Sequence, residues 1–72
     1  MQYIKTTISQ HSEGFLDHEA IIFLSDIKMI TPLIDENNNI IGSIIHNQNA
    51  FGDYDYHVNI PFNEIFQHIK EI

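Results

Sequence analysis

Hydrophobic and polar residues alternate most regularly between Asp53 and Ile60. Tyr54, Tyr56, Val58 and Ile60 fall on one side of an extended chain and Asp53, Asp55, His57 and Asn59 on the other. The period changes after Pro61. Phe62, Ile65, Phe66, Ile69 and Ile72 recur at helical spacing, which predicts an amphipathic helix closing the chain, with Pro61 in its first turn where the missing N–H is tolerated. Upstream, Tyr3 to Ile8 has the β-branched and aromatic content of a first strand, with Ile4, Thr6 and Ile8 on one face. Ser9 to Gly14 reads as a loop, and Phe15 and Leu16 are expected to anchor its far side to the core.

Asp17 to Pro32 supports two patterns. Ala20, Phe23, Leu24 and Ile27 are spaced like a helical face, so a helix over Glu19 to Met29 is one reading. The preferred reading is two strands, Ala20 to Leu24 and Ile27 to Ile34, joined by a tight corner at Ser25-Asp26, whose side chains compete with a strand ladder for backbone hydrogen bonds. Pro32 cannot donate to a neighbour and places the second of these at a sheet edge. Asp35-Glu36-Asn37-Asn38-Asn39 is a turn between two isoleucine-rich segments, giving a hairpin with Ile40 to Ile45 as its return strand, and His46 to Gly52 reads as a further loop. The expected fold is therefore α+β: a small antiparallel sheet of four or five short strands packed against one C-terminal helix, in a single domain spanning 1–72.

Composition narrows the chemistry. With no cysteine, neither disulfides nor thiolate metal sites are available, so a 72-residue chain must be held by packing, alone or shared with a second copy. Ten Asp and Glu stand against Lys5, Lys28 and Lys70, for a formal net charge of −7. Three scattered lysines cannot neutralise a phosphate backbone, which argues against direct binding of nucleic acid and for encounters with a basic protein surface. His11, His18, His46, His57 and His68 add a reserve of titratable charge. No apolar run approaches the roughly 20 residues of a membrane helix, and no signal-peptide pattern opens the chain, so a cytoplasmic protein is expected.

Sequence motifs point to no reaction. Asp35-x-Asn37-x-Asn39 resembles the start of a calcium loop, but Ile40 and His46 occupy the positions that need glycine and glutamate. Asp53, Asp55, His57 and Asn59 on one strand face lack a ligand from elsewhere, and a solvated outer face explains the same alternation, so no metal or cofactor is expected. Glu64 and His68 stand four apart on the predicted helix, an ordinary surface pairing. Gly14, Gly42 and Gly52 are isolated and form no phosphate loop. The expectation is a non-enzymatic regulator or inhibitor that docks on a larger protein, one that is basic or handles nucleic acid. The residues expected to touch that partner are Asp35, Glu36, Asp53, Tyr54, Asp55 and Tyr56, because tyrosines supply rigid contact area and the acids supply complementary charge. Phage anti-defence proteins, including anti-CRISPR proteins, are one group in which an acidic protein occupies a surface meant for nucleic acid. Unpaired sheet edges also predict a homodimer.

Ile22-Phe23-Leu24-Ser25-Asp26-Ile27-Lys28-Met29-Ile30, followed by a turn and strand and then by Val58-Asn59-Ile60-Pro61-Phe62-Asn63-Glu64-Ile65, resembles the small FlbD-type flagellar and swarming-motility proteins in its hydrophobic spacing from Ile21 onward. The resemblance implies a strand-rich protein with a helical end and a non-enzymatic accessory role. It brings no catalytic residue.

Overall fold

Strand β1 (Gln2–Ile8) buries Ile4, Thr6 and Ile8 and turns Lys5 outward, as its period-2 pattern requires. A computed structural model describes residues 1–8 and 17–72; the expected loop from Ser9 to Gly14 and its anchor at Phe15 and Leu16 lie outside the described residues. β2 (His18–Phe23) pairs antiparallel with β1, Ile4 opposite Ile22 and Ile8 opposite His18. A three-residue 3₁₀ corner, Leu24–Asp26, leads into β3 (Ile27–Ile34). β4 (Ile40–Asn49) and β5 (Gly52–Val58) complete a meander with β3. A seven-residue 3₁₀ segment, Phe62–His68, then delivers the chain to β6 (Ile69–Glu71).

The strand order is β2-β1-β5-β4-β3, with β6 pairing β1, and every pairing is antiparallel. β2 and β3 end this order, yet three residues join them. In a flat sheet they would stand four strand spacings apart, about 19 Å. A 3₁₀ turn of three residues advances about 6 Å. The sheet must therefore roll until its end strands approach at the Leu24–Asp26 corner. The roll closes over Ile4, Ile8, Ile22, Ile45, Val58, Ile60 and Ile65, with Leu24, Ile27, Ile30 and Tyr56 packed around them. β1 and β5 share one residue pair, Ile8 with Val58, and this narrow joint lets the two halves fold together.

Two features hold the inner layer. Ser43 is fully buried and its hydroxyl donates to the Ile60 carbonyl at 2.7 Å, tying β4 to the chain leaving β5. Gly42 lies so close to β5 that a Cβ built there would stand 2.2 Å from the Val58 carbonyl oxygen, which only glycine avoids. At the β3–β4 turn, Asp35 Oδ1 accepts from the Asn37 and Asn39 amides at 2.8 and 3.0 Å, and Asn38 takes a left-handed φ of 63°. Those amides hold the Asp35 carboxyl below its ordinary pKa, the Asn39 amide contributing most. The side chain that suggested a calcium loop is engaged in shaping the turn.

The expected C-terminal helix is not formed, and the α+β description gives way to a six-stranded antiparallel sheet with two 3₁₀ segments and no α-helix among the described residues. Ile65 is 1% exposed whereas Phe66, placed on the same face by a 3.6-residue period, is 74% exposed, and Ile72 is 80% exposed. The competing interaction is β1: β5 leaves Gln2–Ile4 unpaired on that side, and Ile69–Glu71 supplies the missing ladder. An eleven-residue helix is marginal in isolation, and β-branched isoleucines favour the strand. Ile72 N–H continues the ladder by donating to the Met1 carbonyl at 3.0 Å. The corner at Ser25-Asp26, the strand over 27–34, the edge position of Pro32 and the hairpin about Asp35–Asn39 match the expectation, although β4 extends past Ile45 to Asn49.

Candidate functional site

The β4–β5 hairpin projects the most exposed aromatic side chain described, Phe51, which is 87% exposed at the tip. Asn49 Oδ1 accepts from the Phe51 amide at 2.8 Å, and Gly52 takes a φ of 133°, a conformation that L side chains rarely adopt. Tyr54 folds back so that its hydroxyl donates to the Phe51 carbonyl at 3.3 Å. Its ring stacks on Tyr56 with centroids 6.4 Å apart and planes inclined by 16°. Tyr54 is nearly half exposed and Tyr56 packs against the core, so the pair runs from the tip into the interior. Phe51 carried no signal in the sequence beyond being an aromatic in a polar loop.

Asp53 and Asp55 leave β5 on the face opposite the tyrosines and flank this tip. Asp35 and Glu36 lie elsewhere, at the β3–β4 turn. Along β4 the distance from Ile40, next to that turn, to Gln48, opposite Asp53, is eight residue steps, about 27 Å. The six residues expected to share a partner surface thus divide into a tip group of Asp53, Tyr54, Asp55 and Tyr56 and a distant pair of acids. The distant pair has apolar neighbours of its own, since Ile34, Ile40 and Ile41 are each about half exposed.

Across the outer face of the meander, Thr31, His46 and Asp55 form a hydrogen-bonded chain. His46 Nδ1 lies 2.7 Å from Asp55 Oδ1 and His46 Nε2 lies 3.0 Å from Thr31 Oγ1. A carboxylate only accepts, so Nδ1 carries the proton of the neutral ring and the threonine hydroxyl donates to Nε2. The order is that of a nucleophile, a base and an orienting acid. It crosses an open sheet face, however, with Asp55 59% exposed, which leaves the orienting acid in water rather than in the enclosed, dry setting such chemistry uses. The chain reads as a cross-strand link.

The strand-face set Asp53, Asp55, His57 and Asn59 does not converge with other ligands: among the described residues no group of three or more His, Asp or Glu side chains is placed to hold a metal ion. Among the same residues no helix is long and apolar enough to cross a membrane. Compared with known proteins, the chain matches no family model, no curated protein and no solved structure.

Proposed function

We propose that this chain is a small, non-enzymatic protein-binding module that acts in the cytoplasm as a regulator or inhibitor, docking on a basic surface of a larger protein through the tip of the β4–β5 hairpin. The observation that carries the reading is Phe51 and Tyr54 exposed together at the tip, with Asp53 and Asp55 on the opposite face of the same strand end, on a chain of net charge −7. Aromatic groups at the centre of a contact, rimmed by charge, are the arrangement in which affinity comes from the rings and encounter rate from the charges. A surface shaped for nucleic acid is the natural target of such a tip, and an anti-defence protein of the anti-CRISPR kind would use it in that way.

The test is capture of a partner from extract of the source cell, repeated across a salt series with variants. Asp53→Asn with Asp55→Asn should slow association and flatten the salt dependence, whereas Phe51→Ser should speed dissociation. Capture indifferent to both substitutions would overturn the assignment of the tip.

The separation of Asp35 and Glu36 from the tip favours a second reading, an accessory or structural component of the FlbD-like motility type. There the half-exposed isoleucines of the β3–β4 end and the strands β2 and β3 at the ends of the sheet order would join copies into a homodimer or a larger assembly. Sedimentation showing only monomer at high concentration would remove it.

A further inference from the structure

Between β2 and the inner face of β4 and β5, where the rolled sheet does not close, lies a cavity of about 270 Å³. Among the described residues its lining joins apolar residues, Ile8, Ala20 and Ile22 among them, to five polar ones, His18, Asp26, Asn47, Asn49 and Tyr56. Asn47 is 6% exposed, and its Oδ1 is buried with no hydrogen-bond partner. A buried acceptor without a donor costs stability that a folded chain normally avoids, and Asn47 borders the cavity.

The geometry points to a basic side chain of a partner protein, lysine or arginine, entering this seam with its alkyl stem along Ala20 and Ile22 and its cationic head toward Asn47 Oδ1 and the Asp26 carboxylate; this rests on the docking reading above and supplies its anchor. Three observations favour that occupant. The head must donate, because the unpartnered atom of the wall is an amide oxygen and its charged group a carboxylate. It should be cationic, because among the described residues the lining contains one carboxylate and no lysine, and its one histidine, His18, stands at the end of β2 away from the Leu24–Asp26 corner. The volume lies just below the 300–1,000 Å³ typical of cofactor and drug-sized sites and suits one long side chain lying on an apolar wall. Tyr56 lines the seam and stacks on Tyr54 of the tip, so one partner surface reaches both.

The full chain, labelled with ¹⁵N, is titrated at low salt with three short capped peptides that differ at one central residue: arginine, lysine or norleucine. Saturable shifts of the Asn47 side-chain amide and the Asp26 backbone amide with arginine or lysine, and not with norleucine, are expected. Asn47→Leu, which leaves no orphaned acceptor and should keep the dispersed sheet spectrum, should weaken the cationic peptides by about tenfold or more, and Asp26→Asn should weaken them in a variant that keeps Asn47. Shifts at Phe51–Asp55 with none at Asn47 and Asp26 would overturn the anchor while leaving tip docking standing. Equal response to norleucine would overturn the cationic assignment, and free arginine binding as tightly as the arginine peptide would overturn the protein source.

Discussion

Replacing Ser43 by alanine removes one oxygen from the fully buried inner layer, where its hydroxyl donates to the Ile60 carbonyl at 2.7 Å. The lost volume is small, so the cost is that of a carbonyl left without a donor in a site closed to water, about 1–3 kcal/mol. At about 2.1 cal/mol/K per residue, the 72-residue chain unfolds with an entropy of about 150 cal/mol/K near its midpoint. The melting temperature should therefore fall by about 7–20 °C. The effect should exceed that of an average polar contact, because Ile60 is 7% exposed and its backbone begins the turn that carries the chain from β5 into Phe62–His68. Thermal unfolding followed by far-ultraviolet circular dichroism, with wild type and variant at one protein concentration, measures the shift. Ser25→Ala on the exposed corner provides the control and should move the midpoint by less than about 3 °C. A Ser43→Ala midpoint within the same 3 °C window would refute the role given to this hydrogen bond.

Ile65→Ala should cost about 2–5 kcal/mol, while Phe66→Ala, next to it and 74% exposed, should cost less than about 0.5 kcal/mol. Similar losses from both in denaturant titrations would restore the α-helical face. The Asp35 carboxyl, followed by NMR, should titrate below 3.8, because the Asn39 and Asn37 amides favour its charged form. A depressed folded value means that its contribution to stability is present above the ordinary carboxylate pKa and is lost as pH falls through the folded one; Asp35→Asn should weaken that acid dependence, and a midpoint at or above 3.8 would contradict the turn geometry.

Where order is local, the residues announce it. The alternation through Tyr54, Tyr56 and Val58, the Asp35–Asn39 turn and the edge proline at 32 each follow from side-chain period, turn chemistry or a missing donor, and all three appear in the fold. The C-terminal segment was not legible in this way, because Phe62, Ile65, Phe66, Ile69 and Ile72 satisfy a helical period while the deciding partner, the free side of Gln2–Ile4, lies at the other end of the chain. The candidate site divides along the same line. Asp53, Tyr54, Asp55 and Tyr56 were readable as an interface strand, but their distance from Asp35 and Glu36 depends on the length of β4, which extends through residues that read as loop. Asn47 is among those residues. In a polar loop it carried no signal; in a strand it faces inward beside Ser43 and Ile45 and becomes conspicuous.

The seam and the tip are consequences of one constraint. Joining β2 to β3 through Leu24–Asp26 forces the sheet to roll, but six short strands with a single pair between β1 and β5 do not close a barrel with a continuous ladder. The gap falls where β2 faces the far end of β4, and there the inner face changes from Ser43 and Ile45 to Asn47, beyond the reach of the isoleucine core. β4 and β5 continue past that gap to the exposed turn at Phe51. The orphaned amide oxygen and the exposed aromatic tip thus share one hairpin, connected through the stacked rings of Tyr56 and Tyr54. A substitution such as Asn47→Leu should consequently separate folding from binding, improving the seam as a core while removing its means of holding a donor.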